Sequence, residues 1–507
     1  MNAKELIDIL DIGNSVAEFD KGLQKYFIET QIYKDFISDR FDIIAGDKGT
    51  GKSAIYHIVK DRYKSVPTLQ DTEIVPGFNE QGSPVFQKLT YGTPLDEGQY
   101  ITIWKSFILS TVGNWVLDIV EGETRSEQLE QLSRLDKLLQ ALGLRSQERS
   151  PENIFSIIAN FLKRVSSPKS IELGMGLTGE GWPIVNPKIE FSEPDTSHAN
   201  GIQIVYNERA LAILNDILKA YSFKVWFVLD RLDEAFAGTP AVEIPALRAL
   251  LRTYLDFNAF DHIKIKLFLR KDLFRRVTQN GFVNLSHVNA RKVEISWSDD
   301  DLKSILCSRI KDNAIFIEKL SAKGLGNDEL FGRLVPSQVD VGDKKPPTWR
   351  WILNRIQDGN HIKPPRNLID LINKAREVQA RREERDQRDW DVSQPLFEPD
   401  SLRRALAEVS ALRVNDTLLA ESGSLQIQIE KFRNGKAEQN IDSLSQIIKA
   451  IDATELHRII KDLVDIGFLE IIGNTYKIPM LYRLGLNITQ GKAFSVAVDE
   501  TPEEELE

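Results

Sequence analysis

Gly46-Asp47-Lys48-Gly49-Thr50-Gly51-Lys52-Ser53 satisfies G-x-x-x-x-G-K-[ST] at every fixed position. Phe41-Asp42-Ile43-Ile44-Ala45, just before it, reads as a short buried strand, and Ala54 to Lys60, just after it, as a helix. A strand, a glycine-rich turn and a helix in that order make a phosphate cradle. Gly46, Gly49 and Gly51 can take positive φ and let the main chain close around an anion. Successive amides, including those of Asp47, Lys48 and Thr50, then point inward, with the positive end of the helix behind them. In such a cradle Lys52 reaches the β- and γ-phosphates and the Ser53 hydroxyl is a ligand of Mg²⁺.

Hydrolysis needs more than a cradle. Lys224-Val225-Trp226-Phe227-Val228-Leu229-Asp230 is a hydrophobic run ending in an acid, the pattern of a buried parallel strand with a functional tip. Asp230 is the candidate for holding Mg²⁺, and Asp233 and Glu234, just beyond it, for orienting the attacking water, with Glu234 favoured. A third strand, Ile263 to Leu269, ends at Arg270, a candidate sensor of the γ-phosphate or of the attacking water. Arg275 and Arg276 fall on the next helix, either as an arginine finger or as plain surface charge. Val293 to Trp297 reads as one more strand. Ser298 with Asp301 then forms a capping box ahead of a helix whose inner face is Leu302, Ile305, Leu306 and Ile310. Pro364-Pro365-Arg366 opens a later helix, which puts Arg366 at a helix N-terminus with its guanidinium free to turn toward a phosphate.

Composition bounds the rest. The 507 residues suggest about three domains; 42% are hydrophobic and 28% charged, as in an ordinary globular chain. A single cysteine, Cys307, excludes an internal disulfide and a cysteine-based metal cluster and reads as a core residue. The start of the chain does not resemble a signal peptide, so the expected location is the cytoplasm. Ile101 to Val120 is the most membrane-like window, but Lys105, Asn114 and Asp118 interrupt it, so it reads as a core helix and no membrane role is expected. The net charge of −10 gives no support for a surface given over to nucleic acid.

Toward the C-terminus, Lys374 to Asp391 is dense in both charge signs and reads as a solvated helix or linker. Ser443 to Ile451, then Asp452 to Gly467, read as two helices, followed by two strands joined at Gly473-Asn474. Two helices and a two-stranded wing form a winged helix. His457, Arg458 and Lys461 could face DNA, but Glu455 and Asp462 share their helix, which favours a protein contact. Ser495 to Glu507 reads as an acidic disordered tail.

The order of these motifs resembles P-loop ATPases related to AAA+ proteins, especially the origin-recognition-like and STAND branches. The resemblance spans roughly Asp20 to Leu486. It rests on the phosphate loop, on Leu229-Asp230-Arg231-Leu232-Asp233-Glu234, with Arg231 where STAND proteins carry a small residue, on Arg270, and on Pro365-Arg366. It implies ATP and Mg²⁺ as cofactors, a lid that moves with nucleotide state, and a homo-oligomer or a separate effector protein as partner, with DNA as an alternative. The expected fold is α/β: a P-loop NTPase three-layer sandwich with a large insertion, a helical lid and a C-terminal winged-helix domain. The expected divisions are an N-terminal segment 1–19, a core 20–297 with an insertion at about 67–219, a lid 298–380, a charged helical linker 381–440, a winged helix 441–488 and a tail 489–507. Neither a guanine-specific Asn-Lys-x-Asp nor a Leu-Ser-Gly-Gly signature is present. A switch, a nucleotide-responsive DNA-binding regulator and a non-hydrolysing scaffold all remain open at this point. A role in prokaryotic stress response, antiphage defence or DNA maintenance is analogy alone.

Overall fold

The computed structural model describes residues 2–78, 95–120, 126–145, 170–171, 175–177, 183–185, 191–192, 196–236, 240–279 and 281–493. The chain divides into two compact units: Glu29–Gly46 with Lys52–Ile295, and Met1–Ile28 with Asp47–Gly51 and Ser296–Glu507.

The first unit is built on a five-stranded sheet in the order Thr72–Pro76, Lys224–Leu229, Ile263–Arg270, Ile43–Gly46, Lys292–Glu294, with every neighbouring pair parallel. The Ile263–Arg270 strand lies between the strand that leads into the phosphate loop and the strand that ends at Asp230. Side-chain alternation gives the sheet two apolar faces. Val225, Phe227, Leu229, Ile263, Ile265 and Leu267 pack with helices Glu97–Ile119 and Pro240–Phe257. On the other face, Phe36 of helix Gln31–Ile37 meets Trp226 and Phe268 at ring-centroid distances of 5.4 and 5.5 Å, and Tyr56 of helix Lys52–Arg62 meets Phe268 at 5.9 Å. Helices on both faces of a parallel sheet, with a glycine-rich turn between its first strand and helix, make this the three-layer P-loop NTPase sandwich.

Two parts of the stretch expected as insertion belong to this body. Thr72–Pro76 is an edge strand of the sheet, and Glu97–Ile119 runs through the core. The polar residues that interrupt the membrane-like window are matched inside the protein. Lys105 meets Glu208 at 2.9 Å and Asp256 at 2.7 Å, and Asn114 donates to the Leu144 carbonyl at 2.8 Å. Among the described residues no helix is long and apolar enough to cross a membrane. Half of the glycine-, proline- and serine-rich stretch Gly174 to Gly201 falls outside the described residues. Within it and just before it, short strands pair antiparallel: Ser170–Ile171 with Phe191–Ser192, and Met175–Leu177 with Pro183–Val185.

A buried charge network closes the lower end of this sheet. Lys266 is fully buried, with Asp39 at 2.6 Å, Asp42 at 2.7 Å and its ammonium 4.1 Å from the Trp226 ring. Arg291 grips Asp42 in bidentate fashion at 2.8 and 3.0 Å. Burial alone would raise the Asp42 carboxyl, but Arg291 and Lys266 override it and hold it at about 2.

The second unit has two apolar cores. One joins helix Ala3–Ile9 to the helices between Asp299 and Arg413, so the N-terminal segment packs with the helices expected as a lid. Ser298 and Asp301 form the expected capping box, and Cys307 is buried among these helices. The charged stretch 381–440 is not a linker. Trp390, Leu396, Phe397 and Leu402 are buried in the core that holds helix Ala3–Ile9, and Val414, Ile429, Phe432 and Ala437 in the other core. Its charges conceal this because Glu383 is itself buried, bonded to Gln379 at 2.7 Å and Arg388 at 2.9 Å.

The other core holds helices Ile441–Ile448 and Ala453–Asp465 and the hairpin Glu470–Ile472 with Thr475–Lys477. The hairpin continues into a four-stranded sheet through Lys436–Gln439 and Thr489–Lys492. The expected tail therefore starts too early: Thr489–Lys492 runs parallel to Lys436–Gln439, and Ile488 is buried beside it. Residues 494–507, which carry the acidic run, lie outside the described residues.

Candidate functional site

The phosphate loop takes its shape from two glycines. Gly49 and Gly51 have φ of +76° and +101°, left-handed values that favour glycine. Gly46, also expected to need that freedom, instead ends the strand in register with Arg270. The Thr50 hydroxyl donates to the Asp47 carbonyl at 2.7 Å and fixes the turn. The Lys52 ammonium folds back to the Gly46 carbonyl at 2.8 Å, at the mouth of the loop.

Far along the chain, Asp230 follows the last residue of its strand. The structure brings it to Ser53, whose hydroxyl hydrogen-bonds its carboxylate, and places Lys52 close enough to act on its charge. Burial pushes the Asp230 carboxyl up to about 6, against the opposing pull of Ser53, the Arg231 amide and Lys52. Arg231 holds φ at +57°, a left-handed turn that aims the acid into the site at some cost in backbone strain. A glycine would sit there more easily.

A hydroxyl and a desolvated carboxylate suit a hard divalent cation, and the nearby ammonium suits the phosphates that would carry it in. Among the described residues no group of three or more His, Cys, Asp or Glu side chains could hold a metal. Magnesium at Ser53 and Asp230 would thus take its remaining ligands from phosphate and water.

Replacing Asp230 by Asn tests this electrostatic reading. An acid raised by folding binds its proton more tightly in the native state, so wild-type stability declines as pH climbs from about 4 through about 6. The Asp230→Asn protein is expected to be more stable than wild type above pH 6, by about 1–3 kcal/mol, with the difference fading below pH 4. Thermal melts across pH without nucleotide would show it.

The other expected catalytic groups are engaged locally. Asp233 lies 3.6 Å from Arg270, and Arg270 donates to Asp272 at 3.0 and 3.2 Å. Burial would raise Asp272, but Arg270 holds it below the usual carboxylate range. Glu234 lies 3.6 Å from Arg231. Arg276 pairs with Glu243 at 2.9 Å, as a surface arginine would.

The loop tip, Asp47–Gly51, clusters with residues from much later in the chain. Pro365 is the first residue of helix Pro365–Glu383, as expected, and Arg366 packs directly on Gly49. The Arg366 amide lies 3.5 Å from the Gly49 carbonyl, and a Cβ on Gly49 would come within 2.9 Å of that of Arg366. The Arg366 Nε is buried without a hydrogen-bond partner in the protein, as a group waiting on an anion would be.

Four residues near this tip escaped the sequence reading. Trp297 donates its indole N–H to the Thr50 carbonyl at 2.8 Å. Asp358 accepts from the amides of Asn360 and Ile362 at 2.9 and 3.0 Å, and burial, with Asp47 adding repulsion, pushes it up to about 6. Lys48 forms an ion pair with Glu421. Arg413 bonds Asp370 and sits near enough to Arg366 for their charges to repel. Trp297 alone had a local signal, as the end of an expected strand.

Comparison with solved structures finds distant likenesses. A Walker-type ATPase of Pyrococcus abyssi aligns over 91% of this chain and 96% of its own, at 10% identity and a TM-score of 0.39. The ORC1 protein of Aeropyrum pernix, solved in complex with DNA, aligns over 94% and 95%, at 12% identity and a TM-score of 0.38. The ORC2 protein of the same organism, solved as ADPNP-ADP complexes, aligns over 93% and 92%, at 13% identity and 0.35. No family model and no curated protein matches the chain. Likenesses this distant assign no residue, so the site rests on its own geometry.

Proposed function

We propose that the chain binds ATP with Mg²⁺ at Gly46–Ser53 and Asp230, hydrolyses it, and acts as a nucleotide-dependent switch. The observation that carries this is the meeting of Ser53, Lys52 and Asp230 at the mouth of a loop held open by Gly49 and Gly51. In this reading the loop amides and Lys52 hold the β- and γ-phosphates, and Ser53 and Asp230 hold the metal. Glu234 orients water once it leaves Arg231. Asp233 and Arg270 form the polar wall beside it. Arg366 responds to nucleotide from its place on Gly49.

The C-terminal core reads as a winged helix that docks a partner, a second copy or a separate effector. Exposed Ile451, Ile471 and Ile472 support a protein contact, while Arg458 is already paired with Asp462 at 3.4 Å. The DNA-regulator alternative predicts duplex binding with a steep salt dependence.

Steady-state ATP turnover with Mg²⁺ tests the reading. The Glu234→Gln protein is expected to bind nucleotide normally and to turn over ten- to a hundredfold more slowly. Turnover equal to wild type would remove Glu234 from the reaction. Binding without turnover in either protein would leave a scaffold.

A further inference from the structure

We propose that Glu421 is a positioning residue for the phosphate loop, holding Lys48 in competition with the phosphates of an incoming nucleotide. This rests on the reading of Gly46–Ser53 as an ATP site. Lys48 is the third residue of the loop, between Asp47 and Gly49, whose neighbouring amides form the phosphate nest. Its ammonium pairs with the Glu421 carboxylate, with the two side chains 37% and 28% exposed.

Glu421 stands just past Val414–Leu419, a π-helical turn whose Val414, Leu418 and Leu419 are buried in the C-terminal core. Turns of that kind are rare and concentrate at functional sites. The tip thus carries a positive charge claimed by a carboxylate anchored in the C-terminal core. Asp47 and the nearby Asp358 add negative charge at the same place. A polyphosphate entering the nest meets acids on this side, and Lys48 is the cation for which Glu421 and phosphate compete. Nucleotide that takes Lys48 breaks its pair with Glu421 and loosens the segment 414–430. Loss of Glu421 removes one carboxylate that competes with phosphate for Lys48.

Because the pair is partly exposed, its effect on affinity is roughly threefold. Titration with a fluorescent ATP analogue and Mg²⁺ would compare wild type, Glu421→Gln, Lys48→Gln, the double variant and Lys52→Ala, at low and high salt. Glu421→Gln is expected to bind roughly threefold more tightly than wild type. The gain should vanish when Lys48 is already Gln and shrink in high salt. In parallel, amide exchange over residues 414–430 should rise when nucleotide is added to wild type and be high from the start in Glu421→Gln.

Equal affinities for wild type and Glu421→Gln, or an undiminished gain in the Lys48→Gln background, would overturn the proposal. Should Lys52→Ala lose binding while Glu421→Gln matches wild type, only the role of Glu421 fails. Should Lys52→Ala bind as wild type does, the ATP site itself is misassigned and the proposal goes with it.

Discussion

ATP hydrolysis by the Lys52→Ala protein is expected to fall at least a hundredfold, a loss of about 3 kcal/mol in transition-state stabilisation. Lys52 is the cation at the mouth of the loop, within 2.8 Å of the Gly46 carbonyl. As charge gathers on the transferring phosphoryl group, no nearby neutral side chain can replace it. The variant should still fold, since Lys52 is only half-buried at the start of its helix. Asp230 gives a second readout. Lys52 is one of the groups that favour its ionised form, so in Lys52→Ala the Asp230 carboxyl should titrate higher than in wild type. Turnover measured beside a circular dichroism melt separates lost chemistry from lost fold. A variant that hydrolyses ATP at the wild-type rate would show that the loop is not the site.

The largest effect on stability is expected at the opposite end of the same sheet. Lys266→Ala should cost about 3–5 kcal/mol and lower the melting temperature by roughly 10 °C. The substitution strands Asp42, which is 4% exposed, with one fewer cation, and removes a charge seated on the Trp226 ring. Lys266→Met keeps the aliphatic stem and so separates lost packing from lost charge. If charge dominates, Met recovers little. The wild type has its own signature. Asp42 is depressed by folding, so its contribution is fully present above about pH 4 and is lost as pH falls through about 2. Urea unfolding at several pH values would show the acid-side loss, and Lys266→Ala should flatten it.

The fold and the centre of the site were legible because their signals are local. The loop glycines are needed where φ turns positive, and an apolar run ending in Asp230 describes a buried strand by itself. Nothing local announced that the Ile263–Arg270 strand would lie between those two, or that Thr72–Pro76 would close the sheet's edge, because strand order is a property of tertiary pairing. The same holds for Lys266 with Asp39 and Asp42, more than two hundred residues earlier in the chain. The stretch from 381 to 440 misled for another reason. Buried polar pairs such as Glu383 with Arg388 raise its apparent polarity, while the apolar residues that seat it are widely spaced. The companions of the loop tip, Glu421 and Asp358 above all, carry no pattern that sequence spacing can reveal.

The strand Thr489–Lys492 sets a boundary for anyone shortening the polypeptide. Ending it at Ala493 keeps the bond from the Ala493 amide to the Glu438 carbonyl and the parallel pairing behind it. Ending it at Asn487 would delete Ile488 and bare the flank of Lys436–Gln439, a row of unpaired amides and carbonyls that invites sticking between molecules. Six residues would then separate a well-behaved preparation from one that clumps.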